Sequence, residues 1–405
     1  MNTSCDVLVI GGGVSGTAAA LAAVRSGVNT VLAEKESFLG GAGYSGLFQY
    51  ICGLYLNGDT LPAETLNQGI VREIVGILNS ISPHRAIKKI GQVYVLPYHR
   101  EDLRSVFSSL CDREKNLTLF YNTTAVSVEK QNDEIVEVIV NRQGIPRSIT
   151  PRILIDCSGS GAISAMAGAQ FELSSSEKLQ LAGYTVHLKG LTDLGETLAI
   201  KVPYYLSRAV SKKILPPYLR FTTFSPGDAQ DEGYCKISID GADNIEREQR
   251  AKKDASLIHS YLAKKLPSFR NSYIADTSLS VMDREGRRVC GEFTLNEEDV
   301  LNARKFHDGV VKNSWPIEIW DKNKGTIYKY LKPGEYYEIP FRCLKVKGIS
   351  NLLCAGRCIS VSREALGSTR VMGTCIGLGE RAGQAAAFQI KNGFYPFGEK
   401  PPAKG

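Results

Sequence analysis

The sequence predicts an α/β fold in which a Rossmann-type dinucleotide-binding domain carries an inserted β-rich α+β domain. Three observations predict it. Asp6–Ile10 (DVLVI) is an apolar run of strand length that enters Gly11-Gly12-Gly13-Val14-Ser15-Gly16, and an Ala-rich helical stretch follows to Ser26, with Gly27 as its C-cap. A second apolar run, Asn29–Ala33, ends in the carboxylate Glu34, 18 residues beyond Gly16. Farther on, Arg152–Gly161 and Ile349–Arg357 repeat the passage from apolar run to glycine turn, while from about Gln170 the intervening chain reads as short strands with occasional helices.

Each part of the first unit has a mechanical job. Gly11 permits a tight strand-to-helix turn, Gly13 lets backbone approach a pyrophosphate, and Gly16 lets helix and strand pack closely. The helix N-terminus presents unpaired N–H groups to phosphate. Glu34 can accept hydrogen bonds from a ribose and repels a 2′-phosphate, which disfavours an NADP-type ligand. Gly41–Gly46 repeats the Gly-x-Gly-x-x-Gly spacing without a preceding strand, so it is expected to be a glycine-rich loop.

At 405 residues, 43% hydrophobic and 22% charged, the chain fits two domains with a sizeable core. Its net charge of +7 is spread without a basic run longer than Arg287-Arg288 or Lys212-Lys213, and no nucleic-acid partner is expected. No Lys or Arg precedes Asp6, so no signal peptide is expected, and no stretch is apolar and long enough for a membrane span. Ten cysteines without a Cys-x-x-Cys pair point to reduced thiols and a cytoplasmic setting. No metal-ligand spacing occurs.

Taken in order, the chain predicts a glycine-rich segment from Lys35 to Gly58, a helix over Leu61–Ile81, a strand pair over Lys88–Pro97 and a helix over Arg100–Glu114. Leu117–Tyr121, Ala125–Lys130, Ile135–Asn141 and Ile149–Pro151 alternate like antiparallel strands; Ala162–Ala169 reads as a helix. In the inserted region, strands are expected at Gly183–Leu188, Arg220–Phe224, Tyr234–Ile239 and Ser278–Met282, with helices at Ile245–Lys265 and Asn296–Asn313. Its many Tyr and Trp residues are expected to form an aromatic core. Cys358–Arg370 reads as a loop before a small-residue helix from Gly373 to Lys391, capped by Gly393.

These segments together resemble FAD-dependent oxidoreductases of the glutathione-reductase-like superfamily, and more narrowly the family related to the flavin subunit of heterodisulfide reductase. Ala20, Gly27 and Glu34 extend the first match, Lys35–Gly41 resembles the next signature, and Ile155–Gly161 is similar to the second flavin motif, with Ser160 where aspartate is usual. Arg284–Glu292 with Asn296–Val300 resembles the central signature. Tyr337–Leu344, Ala355–Ser360 and Gly367–Met372 resemble the C-terminal one. The resemblance implies noncovalent FAD held by Gly11, Gly13, Ser15 and Gly16, then by Glu34, Lys35, Gly41 and Ala42. It further implies contacts from Val126, Ser158 and Gly159, and from Gly356, Arg357, Gly373 and Thr374, with the C-terminal helix pointing its N-terminus at the flavin's pyrimidine edge. Residues 1–169 and 341–395 would form the FAD-binding domain, 170–340 a substrate or cap domain and 396–405 a tail. Trp320 and Arg363 stand where the family often has histidine.

For catalysis the candidates are Arg284, Arg370 and His307. An arginine supplies fixed donors for an anion, and the alternative is a buried ion pair between domains. His307 either touches the active site or caps and packs, whereas His99 and His259 are expected to face solvent. Cys354 and Cys358 are either a redox pair or simple core, the latter favoured because Cys354 lies within an apolar strand. No second strand-glycine-helix unit for NAD(P)H is visible, which favours a dehydrogenase or oxidase acting on a small-molecule substrate. A monooxygenase is the alternative, and a flavoprotein with structural or regulatory FAD a third reading. The electron acceptor is not encoded in any motif.

Overall fold

The protein is described by a computed structural model covering residues 2–193, 195, 197–241 and 244–396; the low-complexity tail expected at the C-terminus lies outside these from Phe397 onward. Asn2–Ile10 is the central strand of the main sheet, flanked by Thr30–Ala33 and by Ile145–Asp156, both parallel to it. Leu117–Phe120 pairs in parallel with Thr30–Ala33, a correction to the antiparallel reading. Its two-residue alternation describes faces and says nothing of direction. On the far side, Glu134–Arg142 and Thr123–Gln131 add antiparallel strands, and the short Leu352–Cys354 pairs in parallel with the end of Ile145–Asp156.

The first helix, Val14–Arg25, buries Ser15 through Val24 under the C-terminal helix, Met372–Asn392. Their backbones touch. A Cβ on Gly379 would stand 1.9 Å from Ser15 O, and one on Gly383 would stand 2.1 Å from Ala19 O. Gly393 ends the C-terminal helix in the left-handed conformation, as its position suggested.

A separate core, drawn from residues 182–281, lies in the inserted region, while residues 289–346 pack into the larger core. Its sheet is antiparallel in the order Thr223–Pro226, Gly233–Ile239, Ala182–Lys189, Tyr273–Thr277. Tyr184, Val186, Leu188, Cys235, Ile237 and Ile239 face the helices Leu198–Ser211 and Asn244–Lys265. By the period of two, Gly183, Thr185, His187, Tyr234, Lys236 and Ser238 occupy the opposite face. The sheet docks over the glycine-rich loop: Ser278 Oγ donates to Gly46 O at 3.0 Å, Leu279 N–H to Ser45 O at 2.8 Å, and Arg100 pairs with Asp276 at 2.7 Å.

Several expected elements shift, each for a local reason. The helix expected from Leu61 begins only at Ile70, because Gly69 adopts φ +72° and the buried Glu380 carboxylate accepts the Ile70 N–H at 3.0 Å. Asn296–Asn313 splits into a helix, Glu297–Leu301, and a strand, Gly309–Asn313, separated by Ala303 at φ +50°. The strand expected at Ser278–Met282 lies at Tyr273–Thr277, since Ser278 leaves the sheet to reach the glycine-rich loop. Arg220–Phe224 divides between a 3-10 turn, Pro217–Phe221, and a strand, Thr223–Pro226. Ala162–Ala169 shortens to Ala162–Met166, and the loop before the last helix contains the helix Arg363–Thr369, capped by the Ser362 side chain. Leu198–Ser211 is a helix without a sequence expectation, and Pro203 lies within it.

Two alanine substitutions should separate packing from propensity. Gly379→Ala inserts a methyl into backbone contact and should destabilise the fold by about 1–3 kcal/mol or more. Gly76→Ala, in open space on the helix Ile70–Ile81, should stabilise it by about 0.5–1 kcal/mol. Urea unfolding measures both; equal midpoints for the two variants would refute the packing assignment.

Candidate functional site

The turn after Ile10 is shaped by contacts that leave no room for side chains. Gly11 has φ +104° and a Cβ there would stand 2.5 Å from Cys157 O, while a Cβ on Gly16 would stand 1.7 Å from Gly11 O. At Gly13 the nearest atom to a Cβ would be Gly41 Cα at 3.9 Å, so the backbone is bare on that side. Bare backbone at a helix N-terminus with unpaired N–H groups is what a pyrophosphate requires. The second glycine segment closes on it: Gly40 N–H donates to Gly12 O at 2.8 Å, and Ala42 opens a helical turn, Ala42–Ser45, inside the expected loop. Ser15 is buried beside Cys157, with Oγ and Sγ 3.9 Å apart.

Glu34 is buried and accepts the N–H groups of Gly12 and, at 2.8 Å, Glu36. A carboxylate has about four acceptor positions, so two bonds leave capacity for a ribose. Burial pushes its pKa up, and the Glu36 and Gly12 N–H groups oppose that shift. Lys35 projects outward beside Glu36. Val126 is the extra residue at a register shift in its strand; its side chain is exposed.

Three distant segments meet at the second glycine turn. Asp156, fully buried, accepts Ser158 N–H and Oγ–H at 3.0 and 2.6 Å through one oxygen, and Ser164 N–H and Oγ–H at 2.8 Å through the other. Arg357 donates to Gly159 O at 2.7 Å and also to Asp283 O, and Arg287 donates to Ser160 O at 3.4 Å. A Cβ on Gly356 would press on Ser15 Cβ at 3.1 Å, which ties this cluster to the first turn. At the C-terminal helix, Gly373 N–H donates to Cys52 O at 2.8 Å, and the buried Thr374 Oγ1 has no hydrogen-bond partner among the described residues. Bare glycine backbone, spare acceptors on Glu34 and this unspent hydroxyl fit a dinucleotide such as FAD.

Beside this, under the four-stranded sheet, stand three cations. Arg284 lies over the Trp320 ring with Cζ 3.8 Å from its centroid, and Lys236 Nζ lies 5.5 Å from the same centroid. Arg370 donates to Arg284 O at 2.7 Å and to Glu318 O at 3.0 Å. Gly183 makes the space for Arg284: a Cβ there would stand 3.0 Å from Nη2. Glu318 accepts the indole N–H of Trp320 at 2.7 Å and that of Trp315 at 3.4 Å. Burial, reinforced by Arg370, lowers the Arg284 pKa to about 9; burial lowers that of Arg370 to about 10; burial, reinforced by Arg284, lowers that of Lys236. All three are only half-buried by surface. The three cations form one cluster around Trp320, and each keeps accessible surface. Beside them the thiol of Cys52 is pushed up to about 12 by burial.

The structure therefore brings Arg284 and Arg370 together and leaves His307 apart, with its side chain 78% exposed against Asp308. Neither arginine forms an ion pair among the described residues, so the interdomain salt-bridge alternative does not describe them. His99 is exposed as expected, but His259 is half-buried and contacts the Ser272 carbonyl and hydroxyl at 3.0 Å, a correction to its solvent-facing reading. Cys354 and Cys358 are both fully buried, which fits the core reading. Of the aromatic residues, Trp315, Trp320 and Tyr337 are buried while Tyr204, Tyr328 and Tyr330 are exposed, so the inserted region has no single aromatic core. Trp320, one of the two departures from the family pattern, faces the cations; Arg363, the other, donates to Lys178 O at 2.7 Å. Sequence reasoning missed Lys236 and Glu318. The available signal was a charged residue alternating with apolar ones in Cys235–Ile237 and Ile317–Ile319.

A parallel sheet entered through a glycine turn, with a buried acid after its second strand, is the architecture of a dinucleotide-binding protein. Residues 6–397 match the family described as FAD dependent oxidoreductase, and the chain belongs to that family; FAD is its cofactor. No curated protein sequence matches the chain. Among solved structures, it is similar to a geranylgeranyl bacteriochlorophyll reductase-like protein from Thermoplasma acidophilum (12% identity, 97% of this chain and 80% of that one, TM-score 0.52). It is also similar to p-nitrophenol 4-monooxygenase from Pseudomonas putida (12% identity, 97% and 82%, TM-score 0.53). A third likeness is to anhydrotetracycline hydroxylase from Streptomyces rimosus (12% identity, TM-score 0.51), covering 96% of this chain but only 63% of the hydroxylase. At these identities the likeness is one of fold. Among the described residues no helix is long and apolar enough to cross a membrane, and no group of three or more His, Cys, Asp or Glu could hold a metal ion.

Glu34→Arg should weaken FAD binding by an order of magnitude or more. The change removes a charged acceptor worth ~1.5–3 kcal/mol and substitutes a side chain that only donates. Titrating apoprotein with FAD by fluorescence quenching measures it, and an unchanged dissociation constant would place the ribose elsewhere.

Proposed function

We propose that this FAD-dependent oxidoreductase is a dehydrogenase or oxidase that takes a hydride from a small organic substrate seated beneath the four-stranded sheet. When bound, FAD supplies the hydride acceptor. The two glycine turns, Glu34, Gly41, Ala42, the Val126 backbone, Ser158, Gly159, Gly356, Arg357, Gly373 and Thr374 would hold it. Residues 170–340 would supply the cap, and residues 1–169 with 341–395 the cofactor-binding body. We also propose the narrower kinship with the flavin subunit of heterodisulfide reductase, which rests on the signature segments Lys35–Gly41, Arg284–Glu292 and Ala355–Met372.

The observation that carries the reading is positive charge gathered in one place beside the C-terminal helix. Arg370 precedes the C-terminal helix, whose N-terminus adds about half a positive charge, and Arg370 is bonded to the Arg284 carbonyl. Hydride transfer builds negative charge at the acceptor, and preorganised positive charge in a desolvated site stabilises charge that develops during reaction. Arg370, by donating to both Arg284 O and Glu318 O, fixes the signature loop to the strand Ile317–Asp321. Glu318 orients both tryptophans.

A monooxygenase is the second reading. It is favoured by the shared fold with p-nitrophenol 4-monooxygenase and anhydrotetracycline hydroxylase, and an aromatic substrate would suit the tryptophan-lined wall. Anaerobic mixing of the yellow holoprotein with a panel of small organic substrates, and separately with NADH or NADPH, discriminates. Loss of the flavin absorption band on adding a substrate alone is expected. Loss only with a nicotinamide, followed by oxygen-dependent hydroxylation, would overturn the dehydrogenase reading in favour of the monooxygenase.

A further inference from the structure

We propose that Lys236 and Arg284 form an anion subsite beside Trp320, beneath the four-stranded sheet, and that the substrate is a small organic acid held there by its carboxylate. The inference rests on the reading of this cluster as the substrate site and names the class of molecule it takes.

Lys236 lies in the strand Gly233–Ile239, paired with Thr185 on one side and Thr223 on the other, on the sheet face turned away from the helical core. Among the described residues nothing comes within hydrogen-bond or ion-pair reach of its Nζ. Its three donors are therefore unspent. A half-buried ammonium whose one neighbour of note is the Trp320 ring keeps its hydrogen-bonding capacity for a ligand. The charged and titratable groups around Lys236 are Arg284, Glu318, Cys52 and Arg370. Lys236, Arg284 and Arg370 share Glu318, with Glu285 and Arg357 also acting on Arg370, and Glu318 is occupied by Trp320, Trp315 and, at 3.5 Å, the Tyr328 hydroxyl. Positive charge outweighs negative here, which suits an anion.

The shape supports a carboxylate attached to a flat or apolar body. Arg284 is stacked on Trp320 and anchored to the Leu181 carbonyl, so its guanidinium is held in place over Gly183 rather than swinging freely. The indole ring and the half-buried Cys52 supply apolar surface near the charged groups. Arg357, which serves the glycine turn, is engaged with Gly159 and Asp283 and does not compete for this role.

The chain has only two tryptophans, Trp315 and Trp320, and both are bonded to Glu318 at this site. Intrinsic fluorescence of the holoenzyme therefore reports on the subsite without turnover. Benzoate should change that fluorescence saturably, whereas benzamide, with the same ring and no charge, should bind at least tenfold more weakly. Lys236→Met should raise the benzoate dissociation constant at least tenfold while leaving the FAD content unchanged, and Lys236→Arg should retain binding within about threefold. Because burial lowers the lysine pKa, benzoate affinity in the wild type should be full below that pKa and fall as the pH rises through it. Benzamide binding as tightly as benzoate, or a Lys236→Met holoenzyme that binds benzoate unchanged, would overturn the proposal. The hydride reading fails separately: if benzoate binds through Lys236 but no organic acid bleaches the flavin anaerobically, the subsite stands and the dehydrogenase assignment falls.

Discussion

The contact on which the rest of the structure depends is the backbone-to-backbone seating of the C-terminal helix on the first helix. Gly379 and Gly383 let the two axes approach until helix carbonyls fill the places where side chains would stand. That approach puts the N-terminus of each helix on the same side of the sheet, although Val14 and Met372 begin at opposite ends of the chain. In the proposed site one end would serve the phosphates and the other would add positive potential beside the cation cluster. Larger residues along either face would widen the gap, and interiors packed to crystal-like density do not absorb such changes locally.

A second constraint is carried by Asp156. Its two oxygens satisfy four donors within nine residues, which fixes the turn that Arg357 and Arg287 then grip from other signatures. Buried polar networks are valuable only when each member is paired, and here the pairing is complete at the carboxylate. The turn is consequently a rigid floor against which the inserted region can be positioned, and the fixed position of Asp283 and Arg284 follows from it.

The cation cluster obeys a different rule. Its cations are depressed by desolvation and by one another, and Glu318 balances only part of their charge. Structural ion pairs minimise such imbalance, whereas a site that meets an anion or a developing negative charge exploits it. Cation–aromatic stacking on Trp320 offsets part of the cost without neutralising the charge.

The sequence by itself determined the dinucleotide unit, because every interaction that defines it is local. The strand, the bare glycine turn, the helix and the acid fall between Asp6 and Glu34, and glycine is the residue those contacts admit. It also determined the strands of the inserted sheet wherever alternation was clean. Boundaries went astray where a distant group decided them, as when Glu380 set the start of the helix at Ile70, 310 residues away. Only the tertiary structure decided the cation cluster. Gly183, Lys236, Arg284, Trp320 and Arg370 come from separate segments of the chain, and their meeting depends on sheet register, on a glycine opposite a guanidinium, and on how the inserted sheet docks over the glycine-rich loop. No periodicity in the sequence encodes which faces will meet.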